Sequence, residues 1–426
     1  MSSRAIQRLF QTYQNDLIRS GQPLKNLKAI DALTHCRTRE MGVSMYQCAD
    51  RHEPIEQLHS CRHRSCQVCS RKGQHDWVEK QKAKLLDTAH FHVVFTLPHE
   101  YLDLWRYNEA LISRLLFRAG SQTLLEVLGR HRGGGITPGI LIALHTWGRQ
   151  LNLHPHVHCL VTAGGLDQAG QWQDTGDYLA PGKVLRTVFR GKFQALLRDA
   201  MQAETLQLPS DHTDTDFWKT YRALYGKDWH VRVEARYAHG KGVLLYLARY
   251  CKGGPLSPGQ LTDISADGVR MRYLDHRDKR VKTQRLRPLT LLQRLLMHVP
   301  AMHIHTVRHY GLYAAPAKLR WEKCAAHLGT LTKVNEPSLP MASVLLHCRT
   351  CGAATHRVSR FFPGRAKGNS INRGNLRRRT GGSAQPADQL GSPRRSGVPD
   401  SLNKMQPDVF LALGCKLSER YVLPGS

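Results

Sequence analysis

Three histidines alternate in the stretch His-Pro-His-Val-His at residues 154–158, and an apolar run follows them. Pro155 and the alternation of apolar residues are typical of an extended strand, in which residues two apart lie on the same face. We therefore expect His156 and His158 on one face and Val157 on the other. Two neutral imidazoles at this spacing can share one divalent cation. A pair of hydrogen-bonded core histidines is the alternative interpretation.

A third ligand for such a cation is expected on the strand that precedes the histidines. The apolar segment ILIALHTW (residues 140–147) is joined to the histidine strand by a short connection. A short connection favours an antiparallel pair of neighbouring strands, which would bring His145 next to the histidine pair. His154 and Gln150 are alternative third ligands.

The segment LLYLARY (residues 244–250) carries two tyrosines four residues apart, Tyr246 and Tyr250, which would share one face of a helix. Packing on a sheet would account for the residues of the opposite face, which are Leu244, Leu247, Ala248 and Cys251. It does not account for the phenols. A phenol, with an ordinary pKa of about 10, is a poor nucleophile at neutral pH, and a divalent cation that stabilises the phosphoryl charge makes its attack on a phosphate feasible. A cation beside two phenols therefore predicts DNA strand cleavage with covalent capture.

The charge of the chain indicates a polyanionic partner. Lys and Arg number 62 against 33 Asp and Glu, a formal net charge of +29, and nucleic acid is the usual partner of so basic a protein. Basic and aromatic residues are interspersed from Trp218 to Trp229, as in proteins that bind single strands. The sequence has no Gly-x4-Gly-Lys-Ser/Thr phosphate loop, which argues against a fused helicase. It has no apolar run of roughly 18 residues and no signal-peptide pattern, so we expect no membrane span and a cytoplasmic location.

The cysteines predict a zinc module. There are eleven, an odd number in local clusters, which favours metal ligation over disulfides in a cytosolic chain. Cys61, Cys66 and Cys69 form a C-x4-C-x2-C group, a spacing typical of tetrahedral zinc. The expected ligands are Cys48 and His52 together with Cys66 and Cys69, and Cys61 is the next candidate.

In combination these motifs resemble the IS91 family of transposases, rolling-circle enzymes of the His-hydrophobic-His superfamily that act in bacterial cells. The resemblance is carried by HTWGRQLNLHPHVHCLVTAGGL, by YLARYCKGGPLS downstream, by the N-terminal cysteines and by RHYGL at Arg308 to Leu312. The segment VVFTLP (residues 93–98) matches the family's first strand motif. The likeness runs from about residue 30 to about residue 355.

The resemblance implies an α+β fold in which a five-stranded antiparallel sheet is flanked by helices, with a small N-terminal zinc-binding module. It implies that His156 and His158 bind Mg²⁺ or Mn²⁺ and that Tyr246 and Tyr250 are two nucleophiles. One would cleave the donor single strand, and the other would act at the target or the second end. The expected partners are single-stranded DNA at the element ends and target, with Zn²⁺ as a structural cofactor. Candidate DNA contacts are Lys241, Arg249, Lys252 and Arg308.

The composition divides the chain into five expected segments. They are an N-terminal helix (1–34), a zinc-binding module (35–80), a catalytic domain (88–260), a basic DNA-binding region (261–355) and a largely disordered basic tail (356–426) that is too polar to build a core. A lone C-x2-C at Cys348 and Cys351 has no visible second pair and is a weak zinc signal.

The predicted function is that of a transposase that nicks and rejoins single-stranded DNA through 5′-phosphotyrosine intermediates. A rolling-circle replication initiator or a conjugative relaxase would use the same chemistry, and the position of the gene between element ends or beside a plasmid origin would separate them. A zinc-dependent DNA-binding protein that has lost catalysis is a further alternative. It would bind DNA without a covalent adduct.

Overall fold

The computed structural model describes residues 4–130, 135–239, 253–256, 258–265, 267–275, 278–329 and 346–362, together with the single positions 242, 244, 245, 247 and 248. The helices in these ranges are α1 (Ala5–Arg19), α2 (Leu24–Thr34), α3 (Ser70–Lys82), α4 (Leu102–Tyr107), α5 (Glu109–Gly129), α6 (Gly182–Gln202), α7 (Asp214–Tyr225), α8 (Pro288–Leu296) and α9 (Lys318–His327). The strands are β1 (Val43–Gln47), β2 (Ile55–Leu58), β3 (His90–Thr96), β4 (Thr137–Trp147), β5 (Leu153–Leu166), β6 (Trp172–Asp174), β7 (Val231–Val233), β8 (Leu261–Ser265), β9 (Gly268–Leu274), β10 (Val281–Leu286), β11 (Val307–Gly311) and β12 (His356–Phe361).

The N-terminal region contains two helices, α1 and α2, where the sequence pattern predicted one helix over residues 1–34. The break lies between Gly21, whose φ of 72° is in the left-handed region, and Pro23, which directly precedes α2. Glycine adopts this backbone without strain, and proline has no N–H to donate to a preceding turn. The apolar faces of α1 and α2 pack with α8 in one core cluster that includes Ile30 and Leu292.

The central sheet is antiparallel, with the strand order β11–β4–β5–β3–β7, and β6 pairs with the end of β5. Helices α5 and α6 cover one of its faces. The α+β class with an antiparallel sheet flanked by helices is confirmed, and so is the adjacency of the two apolar strands, since β4 and β5 are antiparallel neighbours. No helix in the part of the chain that the structure describes has the length and apolar character needed to span a membrane.

The two faces of β4 and β5 differ in chemistry because successive side chains of a strand point to opposite sides. The face that packs on α5 and α6 is apolar and consists of Ile140, Ile142, Leu144, Val157, Cys159 and Val161. The opposite face combines apolar residues with imidazoles, namely Leu141, Ala143 and His145 on β4 and His156, His158 and Leu160 on β5.

Part of the tyrosine segment packs on this second face. The described positions 242, 244, 245, 247 and 248 are helical. Leu244, Leu247 and Ala248 are buried against Leu141, Ala143 and Leu160, in a cluster that α3 completes. The predicted packing of these three residues on the sheet is therefore confirmed. Tyr246, Tyr250 and Cys251 lie outside the described residues.

The region after the tyrosine segment contributes to two sheets. The segment GVRMRYLDHRDKRVKTQ forms a hairpin of β9 and β10, and β8 completes its sheet. Strand β11, which contains most of the RHYGL segment, pairs instead with β4 at the edge of the central sheet. The predicted placement of this segment in a separate basic region (261–355) is therefore wrong for β11, because the pattern of a five-residue strand does not indicate its distant partner strand.

A third sheet has the order β12–β1–β2. Its strand β12 begins at residue 356, which is the predicted start of the disordered tail. All six side chains of β12 are exposed, so the strand has no buried apolar face for a sequence pattern to reveal. It is held through backbone pairing with β1. The remainder of the predicted tail, from residue 363, lies outside the described residues.

Candidate active site and metal centres

Three buried histidines form a cluster on the second face of the central sheet. The ring nitrogens that His145, His156 and His158 can offer all lie within 4.8 Å of one another. His145 is directly opposite His156 in the β4–β5 ladder, and the ring centroids of His145 and His158 are 4.0 Å apart. The other two candidates for third ligand, His154 and Gln150, are exposed and do not join the group.

Burial keeps these three imidazoles neutral. Desolvation is the main cause that lowers the pKa of His156 to about 3, with neighbouring imidazoles adding to it. Desolvation also holds the pKa values of His145 and His158 well below the ordinary value. A neutral imidazole keeps a lone pair on one nitrogen, which a metal ligand requires. At neutral pH the cluster therefore carries no charge that would repel a cation.

A backbone hydrogen bond sets the tautomer of His156. Its Nδ1 lies 2.6 Å from the carbonyl oxygen of His154. Because a carbonyl oxygen can only accept, Nδ1 carries the proton and Nε2 carries the lone pair. Ligating histidines in metal sites are usually oriented by such a bond from the second ring nitrogen.

His92 on β3, which is not among the predicted site residues, extends the cluster. Its Nε2 lies 2.7 Å from Nδ1 of His158, and the two rings are stacked with centroids 4.9 Å apart. Burial lowers the pKa of His92 to about 4. His92 comes immediately before the VVFTLP segment, and its alternation with Phe91 and Val93 is the signal that could have placed it on the histidine face.

Four thiols converge next to the first turn of α3. The sulfur atoms of Cys36, Cys61, Cys66 and Cys69 lie within 4.8 Å of one another, and Cys36 Sγ is 3.4 Å from Cys69 Sγ and 3.6 Å from Cys66 Sγ. Four cysteine ligands are a common set for a closed, tetrahedral structural zinc site. Cys36 is absent from the predicted ligand set, because the residue follows α2 and is distant in sequence from the other three.

Cys48 and His52 belong to a different group. The predicted ligand set of Cys48, His52, Cys66 and Cys69 is therefore wrong, because in the structure Cys48 and His52 lie with Cys348 and Cys351. The hairpin of β1 and β2 explains the separation, because Cys48 and His52 occupy the turn between these strands and Cys61 follows at the opposite end of the hairpin.

Comparison with known proteins agrees with the residues assembled in the sheet and in the thiol cluster. Residues 6–97 match a transposase zinc-binding domain, and residues 139–320 match a family described as putative transposases. A transposase for the insertion sequence element IS801 from Pseudomonas savastanoi pv. phaseolicola is 31% identical over 346 residues, which are 77% of this chain and 82% of the relative. The chain belongs to the IS91 family of transposases. A putative transposase, y4qJ, from Sinorhizobium fredii (strain NBRC 101917 / NGR234) is 34% identical over 291 residues, 67% of this transposase and 73% of the relative.

The matched regions correspond to the structural modules of the transposase. The zinc-binding match contains the four-thiol cluster, and the two findings together support a structural zinc ion there. The putative-transposase match contains most of β4, all of β5 and β11, and thus the three clustered histidines. Neither match reaches residues 346–362.

The predicted DNA contacts of the transposase are in different places. Arg308 lies on β11 opposite Ile142, and its guanidinium is 4.6 Å from the centre of the Phe117 ring of α5. It is therefore on the face that packs on α5, away from the clustered histidines. The other three candidates, Lys241, Arg249 and Lys252, lie outside the described residues, and their role stays a prediction.

Replacement of His92 by alanine tests whether this residue positions His158. We expect the affinity of the transposase for Mn²⁺ to fall about 10- to 100-fold, the usual effect of losing such an outer-shell partner. Calorimetric titration with Mn²⁺ measures this affinity. His92→Gln should retain part of the affinity, because its amide oxygen can accept the Nδ1 proton of His158. A wild-type affinity for Mn²⁺ in His92→Ala would contradict the positioning role. The matched control is His75→Ala, at an exposed position on α3.

Proposed function

We propose that this transposase nicks and rejoins single-stranded DNA, using Tyr246 and Tyr250 as nucleophiles beside the clustered histidines. One observation carries the proposal. Leu244 and Leu247, which flank Tyr246 closely, pack on the sheet face that also bears the histidines. Their contact residue Leu160 is two positions from His158 on β5, a separation of about 7 Å along a strand. The described part of the tyrosine segment is thus next to the candidate metal site.

The donor set of the cluster fits a divalent cation that still has room for oxygen ligands. Three neutral nitrogens from His145, His156 and His158 leave positions of an octahedral shell for water and phosphate oxygens, which Mg²⁺ and Mn²⁺ prefer. When bound there, the cation would stabilise the charge that develops on the phosphoryl oxygens during attack. The protein's part is to hold the imidazoles neutral and oriented, through burial, the His154 carbonyl and His92.

The proposed cleavage exchanges one phosphoester for another. The phenolic oxygen of one tyrosine forms a bond to phosphorus, the bond from phosphorus to the 3′ oxygen breaks, and the leaving oxygen ends as a 3′-hydroxyl with the proton given up by the phenol. The 5′-phosphotyrosine retains the energy of the broken phosphodiester. Attack by a 3′-hydroxyl then restores the phenol, and no nucleoside triphosphate is consumed. This agrees with the absence of a phosphate loop from the sequence.

Single-stranded DNA is the proposed substrate. The net charge of +29 favours a polyanion, and α7 ends in an exposed aromatic side chain. Tyr225 is 54% exposed, and the guanidinium of Arg190 lies 5.6 Å from the centre of its ring. Stacking of an unpaired base on such a ring is a sequence-tolerant way to bind single strands.

A labelled oligonucleotide that carries an element end tests the proposal. In the presence of Mg²⁺ or Mn²⁺ we expect a protein–DNA adduct that survives denaturing electrophoresis, and at least about 10-fold less adduct on the same sequence as a duplex. The adduct should survive denaturation because a phosphotyrosine linkage is covalent. It should require the cation because the cation stabilises charge on the phosphoryl oxygens during attack. Binding without an adduct would favour the non-catalytic zinc-dependent protein. An adduct on a plasmid origin and none on the element end would favour a replication initiator.

A further inference from the structure

We propose that the transposase binds a second zinc ion, through Cys48, His52, Cys348 and Cys351. The ligand atoms of these four residues all lie within 4.8 Å of one another. Nδ1 of His52 is 3.3 Å from Cys48 Sγ and 3.7 Å from Cys348 Sγ. Three thiolates and one imidazole are a common ligand set of structural, four-coordinate zinc. Cys48 and His52 lie within residues 6–97, which match the zinc-binding domain. Cys348 and Cys351 lie in sequence beyond residues 139–320, which match the putative-transposase family.

The two N-terminal ligands are presented on a tight turn. The backbone N–H of Arg51 donates to the carbonyl oxygen of Cys48 at 3.1 Å, and Arg51 has a left-handed φ of 56°. The side-chain amide of Gln47 donates to the carbonyl oxygens of Arg51 and His52, at 3.0 Å and 2.9 Å. These bonds fix the backbone so that the Cys48 sulfur and the His52 ring face each other.

The two C-terminal ligands are presented on a second turn. The backbone N–H of Thr350 lies 3.4 Å from the sulfur of Cys348 and donates to it, a contact that stabilises a thiolate. The N–H of Gly352 donates to the carbonyl oxygen of Cys348 at 2.9 Å, and Gly352 has a left-handed φ of 71°. The turn therefore wraps around the Cys348 sulfur.

Backbone pairing independently brings the two turns to one end of a sheet. Strand β1 ends at Gln47, just before the first turn, and β12 begins at His356, shortly after the second, and these two residues are partners in the β1–β12 ladder. On its other side β1 pairs with β2, so that Tyr46 is opposite Ile55. Two ligand turns at the same end of a three-stranded antiparallel sheet form a site from segments that are remote in sequence.

A zinc ion also explains what holds residues 346–362 in place. No residue of this range belongs to an apolar core cluster of the described structure, and every side chain of β12 is exposed. Apolar burial therefore contributes little here. Binding energy from a structural zinc ion acts directly as folding energy, and Cys348 follows His52 by 296 residues, so the ion would close a long loop.

Zinc content of the purified full-length transposase tests the inference. We expect two zinc ions per chain by elemental mass spectrometry, and one in the double variant Cys348→Ser/Cys351→Ser. Arg349→Ala, an exposed change inside the same turn, is the matched control and should retain two. One zinc ion per wild-type chain, or an unchanged content in the double variant, would overturn the proposal.

Spectroscopy of the cobalt-substituted protein identifies the ligands. The two sites together have seven thiolates, and the double variant retains the four of the Cys36 cluster, so the sulfur-to-cobalt charge-transfer absorption should fall to about four sevenths. His52→Cys should keep two ions and gain one thiolate's absorption. A loss of absorption in Arg349→Ala, or an undiminished absorption in the double variant, would contradict the assignment.

Thiol protection gives the same test without any substitution. In the zinc-loaded wild-type protein, Cys348 and Cys351 should resist alkylation, although Cys351 is exposed, and both should react rapidly after chelation. Peptide mass spectrometry reads each cysteine separately. Equal alkylation of these two residues before and after chelation would contradict the second zinc site. This holds whether or not the four thiols of the Cys36 cluster are protected.

Discussion

The transposase with both Tyr246 and Tyr250 replaced by phenylalanine is expected to form no covalent adduct with element-end DNA. The change removes only the two phenolic oxygens, which are the atoms that attack phosphorus in the proposed reaction. Loss of a nucleophile without a substitute lowers turnover by on the order of 10⁴-fold or more. The measurement is single-turnover cleavage of a labelled single-stranded oligonucleotide, resolved on a denaturing gel. Binding of the same oligonucleotide should be unchanged.

The single variants separate a one-nucleophile from a two-nucleophile reaction. Tyr246→Phe and Tyr250→Phe should each abolish transposition in cells, because in the proposed reaction each phenol acts at a different end, although one cleavage event can remain in vitro. Tyr237→Phe is the control, since its side chain is 39% exposed and its contact with His90 runs through the backbone. Transposition at the wild-type level by either single variant would reject the two-nucleophile model.

Replacement of His156 by alanine is expected to lower metal-dependent nicking by roughly 10³-fold, or about 4 kcal/mol of barrier. His156 is the residue whose tautomer is fixed by a backbone carbonyl, so its loss removes an oriented nitrogen from the proposed metal site. The nicking rate is measured as a function of Mn²⁺ concentration. His99→Ala, with a side chain that is 85% exposed, is the control.

The same titration tells the candidate third ligands apart. His145→Ala should behave like His156→Ala, because His145 belongs to the group of clustered ring nitrogens. Gln150→Ala should have little effect on the nicking rate, since this exposed residue lies outside the group. Nicking that is insensitive to chelation in the wild-type protein would remove the case for a catalytic cation altogether.

The alternation of residues 154–158 and the short connection before them were sufficient to predict most of the histidine site. Both features are local, and a two-residue period fixes which side chains share a face. The position of His145 opposite His156 follows from antiparallel pairing of neighbouring strands. His92 could not be placed in this way, because its bond to His158 depends on the register between β3 and β5, strands that are distant in sequence.

For the zinc site, too, local spacing predicted only the ligands that are close together in sequence. The spacing of Cys61, Cys66 and Cys69 identified a metal-binding group, but spacing alone does not show which distant thiol completes it. Cys36 reaches the group from the end of α2. Cys48 lies away from this group because it occupies the turn of the β1–β2 hairpin. The two strands are short and only partly apolar, so the hydrophobic pattern does not indicate this hairpin clearly.

The order β12–β1–β2 also has a consequence for synthesis of the chain on the ribosome. Strand β1 is translated among the first fifty residues, whereas β12 emerges about 300 residues later, which takes roughly 15 to 60 s at about 5–20 residues per second. During this interval one side of β1 has no neighbour, and an unpaired strand side is a template for association with other chains. A gene copy that ends before codon 346 therefore encodes a product that keeps this bare side permanently and tends to aggregate.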